Sequence, residues 1–191
     1  MRGALTDPTD PAGPAPPAAA SPGAETASTA TEADRRFMAR AVALAHQGDK
    51  VHGGSPIGCV LVLDGTIVAE GHNEVGLRHD PTAHAEIVAI RRACQSLSRE
   101  ELRGATLYTT LQPCGMCTMA SIWTRVSRIV YGAGRGDVHR MYFEDKHLDT
   151  MNFIRDTYRD IEVVGGVLRD AVMPLYWGPN DDPPRKEQGN L

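Results

Sequence analysis

Hydrophobic and polar positions along the chain follow two periods, and these mark out a set of elements. Over residues 31–47, Phe37, Ala41, Leu44 and Ala45 recur at three- and four-residue steps, as in the inward stripe of an amphipathic helix. Thr31-Glu32-Ala33-Asp34 opens that stretch as a capping signal, and Gly48 and Gly53-Gly54 break it. Residues 57–63 and 66–71 read as strands joined by Asp64-Gly65, a strong hairpin signal. A second helical stripe opens at His84 and runs to Ala93, with Ile87, Val88 and Ile90 inward. Residues 106–110 read as a strand and 114–124 as a helix. Residues 128–131 form another strand, ending at Gly132. A helix over 151–159, a short strand over 161–164 before Gly165-Gly166, and a last short helix over 168–177 complete the pattern. Strands alternating with helices imply a sheet layered with helices.

The flanks differ in kind. Residues 1–31 are rich in Ala, Pro, Thr and Gly, cannot bury enough apolar surface to fold alone, and are expected to be a disordered tail. Residues 179–191 are a polar tail containing Pro183-Pro184. One folded domain over 32–178 remains, which suits a chain of 191 residues with 41% hydrophobic content.

No stretch approaches the roughly 18 apolar residues of a membrane helix, and the N-terminus lacks an apolar signal-type run. Four cysteines without a disulfide-like framework suit a reducing cytoplasm. Residues 1–34 set Arg2 against Asp7, Asp10, Glu25, Glu32 and Asp34, a net of −4. Residues 179–191 set Arg185 and Lys186 against Asp181, Asp182 and Glu187, a net of −1. The whole chain is −4, so residues 35–178 carry about +1, a weak footprint for a dedicated nucleic-acid binder.

The chemistry concentrates in His84-Ala85-Glu86 and Pro113-Cys114-Gly115-Met116-Cys117. Zinc takes nitrogen and thiolate ligands tetrahedrally, and a catalytic zinc keeps one position open for water. His84, Cys114 and Cys117 supply three ligands, and Glu86 is a carboxylate beside them that need not bind the metal. Pro113 suits a helix start, Cys114 and Cys117 then share one face, and a helix N-terminus favours thiolate. Two helix starts facing each other across a sheet edge would make the site. A structural zinc would need a fourth protein ligand, and Cys59 and Cys94 do not form a second Cys-x-x-Cys. A redox pair would not need His-x-Glu upstream.

The pattern H-x-E…P-C-x-x-C is the known signature of zinc deaminases, and residues 35–178 resemble the cytidine deaminase superfamily. The run from Arg78 to Ile87, with Asn73 before it, is similar to bacterial tRNA adenosine deaminases. It is similar also to guanine and guanosine deaminases, as is Ser55-Pro56-Ile57-Gly58-Cys59-Val60-Leu61-Val62. The resemblance implies a three-layer α-β-α fold around a five-stranded mixed sheet, a zinc cofactor and a homodimer built on second-half helices. It implies that Glu86 moves protons between the zinc-bound water, a ring nitrogen and the leaving amine. It places Asn73 on the substrate, and Pro56, Ile57, Gly58 and Cys59 along the pocket, with Gly58 permitting close approach of backbone to ligand.

After Tyr131 the chain departs from the tRNA enzymes, and Phe143-Glu144-Asp145 is faintly similar to an acidic stretch of guanine deaminases. Glu144 or Asp145 is therefore a candidate second acid. Gln112 stands where many relatives carry Glu, and Tyr176-Trp177 either cap a pocket or anchor the last helix. The expected reaction is hydrolytic deamination of a free nucleobase or nucleoside, with a guanine-type purine favoured. The alternatives are a tRNA wobble adenosine-to-inosine deaminase and an inactive zinc-stabilised scaffold.

Overall fold

The computed structural model describes residues 30–51, 54–138, 142, 150–157 and 160–177. Helix α1 (Glu32–Asp49) starts where Thr31 and Asp34 close a capping box, as their spacing predicts. It continues past the predicted end at residue 47. Gly48 is buried there, and a side chain on it would meet His72 and Ser55. Strands β1 (Gly58–Leu63) and β2 (Thr66–His72) pair antiparallel. Between them Asp64 and Gly65 both take left-handed φ values, 49° and 73°, as the tight hairpin turn requires.

A one-turn helix α2 (Val75–Arg78) follows, too short to leave a periodic signal in the sequence. Helix α3 (Ala85–Leu97) buries the predicted Ile87, Val88 and Ile90. Strand β3 (Thr106–Leu111), helix α4 (Gly115–Trp123) and strand β4 (Arg128–Ala133) come next. Pro113 precedes the N-cap Cys114 rather than standing at the first helical position, so the helix begins one residue later than expected.

The sheet order is β2-β1-β3-β4-β5, where β5 is Glu162–Val164. The β1–β2 and β1–β3 pairs are antiparallel and the β3–β4 and β4–β5 pairs are parallel, so the sheet is mixed. Side chains alternate across it. Cys59, Leu61, Leu107 and Ile129 pack with Ala85, Ala89 and Ile90 of α3 and Ile122 of α4. Val60, Val62, Tyr108, Val130 and Val164 pack with Phe37, Met38, Ala41 and Leu44 of α1. The result is a three-layer α-β-α arrangement.

Gly58 belongs to the α1 face. A Cβ there would lie 2.1 Å from the Ala41 carbonyl oxygen. The missing side chain therefore lets β1 approach the backbone of α1 closely.

The last third is less regular than its apolar pattern suggests. The helix expected over 151–159 is α5 (Met151–Arg155). The helix expected over 168–177 divides into α6 (Arg169–Val172) and a 3₁₀ turn (Met173–Leu175), because Pro174 has no N–H to continue the helix. Residues 1–29 and 178–191, which hold nearly all of both expected tails, lie outside the described residues, as do Glu144 and Asp145. No helix among the described residues is long and apolar enough to cross a membrane.

Candidate active site

His84 and Cys114 are the N-caps of α3 and α4, with extended backbone at ψ 155° and 174°. This places both side chains at helix starts, where unpaired backbone N–H groups favour anionic ligands. Cys117 follows one turn into α4, so its sulfur returns to the same spot. The site lies beyond the end of β3, the middle strand, rather than at an edge of the sheet.

Cys114 Sγ is 3.6 Å from His84 Nδ1 and 3.7 Å from Cys117 Sγ, and Cys117 Sγ is 3.7 Å from His84 Nδ1. Tetrahedral zinc at its usual bond lengths sets two sulfurs about 3.8 Å apart and sulfur and nitrogen about 3.6 Å apart. The triangle matches zinc on all three sides. Among the described residues no fourth His, Cys, Asp or Glu joins it. Cys117 is fully buried, while His84 and Cys114 are half-buried.

The Cys117 thiol, with His84 behind it, holds the Cys114 thiol down at about 4 against the opposing effect of burial. Cys117 moves the other way, because Cys114 already carries the negative charge and burial penalises a second one. A thiolate is thus ready at Cys114, and metal binding displaces the proton from its partner.

Glu86 stands in the first turn of α3 and is buried. Burial, reinforced by the Cys114 thiolate and opposed by His84, pushes its carboxyl up to about 7. Among the described residues no arginine or lysine pairs with it. A divalent cation on the three ligands adds positive charge nearby and draws that value down again. Cys59 is fully buried on the same face of the sheet, and its thiol is pushed up by burial and by the charge of Glu86.

Asn73 is buried at the end of β2. Its backbone N–H donates to the Ile57 carbonyl at 3.0 Å, and its Oδ1 accepts the Val75 N–H at 3.2 Å. Pro56 and Ile57 are partly exposed just before β1. Gln112 is buried and accepts the Arg135 N–H at 2.9 Å, tying the metal-binding helix to the turn after β4. Tyr176 is buried and Trp177 donates its indole N–H to the Asp137 carbonyl at 3.0 Å, so both residues are anchored in the fold.

Residues 31–133, just over half of the chain, match the cytidine and deoxycytidylate deaminase zinc-binding region. The chain belongs to this deaminase family. It is similar to guanine deaminase of Bacillus subtilis (strain 168), 44% identical over 59% of this chain and 72% of the relative. It is similar also to the tRNA-specific adenosine deaminase of Buchnera aphidicola subsp. Baizongia pistaciae, 39% identical over 75% of this chain and 86% of the relative. Among solved structures it is similar to a tRNA:A34 deaminase, with TM-score 0.64 and 34% identity over 73% of this chain and 98% of the other. The protein is a zinc-dependent hydrolytic deaminase.

Several supports of this deaminase site escaped sequence reasoning. Thr150 and Thr118 both donate their hydroxyls to the Pro113 carbonyl, at 2.8 and 3.4 Å, and so fix the approach to Cys114. Thr118 stands five residues after Pro113, and from the second turn of α4 its hydroxyl reaches back past the helix start. Thr150 comes from a distant segment and leaves no local signal. Glu74 is buried and held by Arg78 and Arg92, while its backbone N–H donates to the Ala83 carbonyl beside His84.

Proposed function

We propose that this deaminase hydrolyses the exocyclic amino group of a free nucleobase or nucleoside, a guanine-type purine being favoured, and releases ammonia. The observation that carries the reaction class is Glu86: a buried carboxyl, two residues from a zinc ligand, that no arginine or lysine among the described residues holds ionised. His84, Cys114 and Cys117 hold the zinc, which when bound supplies a water ionised near neutral pH. Glu86 takes a proton from the attacking water and delivers it to a ring nitrogen, then takes the second proton from the added hydroxyl and gives it to the amine, which leaves as ammonia while the carbonyl forms. Asn73 binds the substrate, and Pro56, Ile57, Gly58 and Cys59 line its pocket. Glu144 or Asp145 is the candidate second acid.

Three points support a small substrate: the near-neutral charge of residues 35–178, the guanine deaminase relative and the departure of the last third from tRNA enzymes. The second reading, a tRNA wobble adenosine deaminase, draws on the Asp80-Pro81-Thr82-Ala83 run and on the tRNA-specific relative. In a third, the fold is an inactive zinc-stabilised scaffold; the buried Glu86 argues against it.

We further infer one deaminase domain over residues 32–178 acting in the cytoplasm as a homodimer. Helix α4 exposes Trp123 at 78% and Met119 at 37%, an apolar surface that a second copy would cover. A Trp123→Ser variant that stays dimeric in sedimentation would place the interface elsewhere.

The deciding experiment measures ammonia release by zinc-loaded protein from guanine, guanosine, adenosine, cytosine, cytidine and a tRNA anticodon stem-loop, with Glu86→Ala as blank. Turnover of a free base or nucleoside with the stem-loop untouched is the expected result. Turnover of the stem-loop alone would make the protein a tRNA editor. No turnover of any of them, with zinc bound, would favour the scaffold.

A further inference from the structure

Thr110 lies on β3, fully buried, two residues after Tyr108 and on the α1 face of the sheet. Its Oγ1 accepts two hydrogen bonds, from the Tyr176 hydroxyl at 2.8 Å and from the Gly58 N–H at 3.1 Å. The Gly58 N–H and the Ile57 C=O belong to one peptide unit. That carbonyl accepts the Asn73 N–H at 3.0 Å. An unbroken series of hydrogen bonds therefore runs from Tyr176, near the end of the described chain, through Thr110 and the Ile57–Gly58 peptide to Asn73. It joins four segments of the chain.

The tyrosine end of the series is rigid. Tyr176 is buried and meets Tyr142 edge-on at 5.1 Å between ring centres. Trp177 donates to the Asp137 carbonyl, and Arg169 pairs with the Asp137 carboxylate at 2.7 Å, so the segment carrying Tyr176 is itself pinned. Burial pushes the Tyr176 hydroxyl well above its ordinary range, so it remains a donor at physiological pH.

We propose that Tyr176 is a positioning residue for substrate binding, its hydroxyl holding Thr110 in the orientation that pins the Ile57–Gly58 peptide and thereby sets Asn73. The ring and the hydroxyl have separable roles. The ring fills the core beside Leu111, Ala133 and Val172, and phenylalanine preserves that packing. The hydroxyl alone reaches Thr110. The inference rests on the reading of Asn73 as a substrate-binding residue, and the test separates the two.

The full-length zinc-loaded protein is compared with Tyr176→Phe, Thr110→Val, the double variant and Asn73→Ala. Steady-state kinetics use whichever substrate of the ammonia panel is turned over. Tyr176→Phe is expected to raise KM about five- to tenfold, as for one lost buried hydrogen bond, with kcat within about twofold and zinc content unchanged. Because the hydroxyl acts through Thr110, the double variant should be no worse than Thr110→Val alone. An unchanged KM, or single effects that multiply in the double variant, would overturn the proposal.

A second measurement needs no substrate. Amide hydrogen exchange at Gly58 and Asn73 should quicken about tenfold in Tyr176→Phe while that of Val130 holds. Equal exchange at all three positions would overturn the proposal. If exchange quickens as expected but Asn73→Ala leaves KM untouched, the substrate role of Asn73 fails, and with it the functional part of the proposal.

Discussion

Two buried carboxylates lie on opposite faces of one sheet, and the protein treats them in opposite ways. Asp34 on the α1 side is 1% exposed and Glu86 on the α3 side is 4% exposed, so solvent exposure alone does not distinguish them. Asp34 receives the Arg128 guanidinium at 2.5 and 3.1 Å, the Tyr108 hydroxyl at 2.9 Å and the Thr31 N–H at 2.8 Å. Burial works to raise its carboxyl, but Arg128 and Thr31, with Tyr108 behind them, hold it well below the usual carboxylate range. Among the described residues no guanidinium pairs with Glu86; His84, its own backbone N–H and Cys117 do not offset its burial, which carries it up to about 7. A carboxylate whose charge is fully compensated serves to hold elements together. One left short of partners beside a metal site is available to take and give protons.

The largest expected effect tests the uncompensated group. Glu86→Gln keeps the shape and removes the exchangeable proton. Ammonia release should fall by about 10³-fold or more, within the range for loss of a general acid–base. Zinc content measured by metal analysis should stay at that of the wild type, and the thermal midpoint should hold or rise because a buried charge is gone. Loss of zinc in this variant would show Glu86 to be a metal support instead. Cys114→Ser provides the contrast, since it should lose zinc and activity together.

Next comes the compensated group. Asp34→Ala leaves Arg128 and Tyr108 without their shared acceptor, a change that typically costs about 3–5 kcal/mol when a buried ion pair is broken. Arg128 keeps one exposed partner, Glu162 at 3.1 Å, so the lower end of that range is expected. Denaturant unfolding should register the loss, while zinc-loaded protein below its midpoint should keep kcat within about twofold. A large fall in kcat without loss of stability would erase the distinction between the two carboxylates.

Glu74 sharpens the comparison, because it lies near the metal side yet is paired like Asp34. It is 2% exposed, with Arg92 at 2.6 Å and Arg78 on its other oxygen. Both arginines are about half exposed, so water compensates them when the pair is broken. Glu74→Gln should therefore cost less than Asp34→Ala, about 1–3 kcal/mol. If pairing rather than location decides the role, the loss will appear in stability and only weakly in kcat. A kcat deficit as deep as that of Glu86→Gln would give Glu74 a chemical part.

The metal side was legible in the sequence because its chemistry is local. His84 and Glu86 are two residues apart, Cys114 and Cys117 three, and each pair needs only one helix start to place it. The hairpin at Asp64-Gly65 was legible for the same reason. Asp34 shows the limit. Its capping role could be read from Thr31 three residues before, but its pairing with Arg128 and Tyr108 spans 94 and 74 residues, which no periodicity encodes. The packing of Gly58 against α1 was not legible, because a missing side chain reveals that something comes close without saying what. The last third was the least legible: elements of three to five residues, such as β5 and α5, are too short for their period to be counted.

The smallest effect concerns pH, and its sign follows from Asp34. A carboxylate whose folded value is depressed stabilises the fold fully above its unfolded value of about 3.9 and loses that contribution as pH falls below it. Asp34→Asn has no such titration. At neutral pH the wild type should therefore melt higher than Asp34→Asn. The gap should hold down to about pH 5 and narrow progressively below pH 4, as protonation leaves Arg128 facing an uncharged partner. Differential scanning calorimetry of the two proteins across that range would show it. Asp34 faces Arg128, Tyr108 and Thr31, of which none titrates in that range, and because Glu162 shares Arg128 the same comparison in a Glu162→Gln background assigns the narrowing to Asp34 itself. A gap that stays constant to pH 2 would mean that the ion pair adds nothing beyond its hydrogen bonds, and compensation of charge would no longer separate this carboxylate from Glu86.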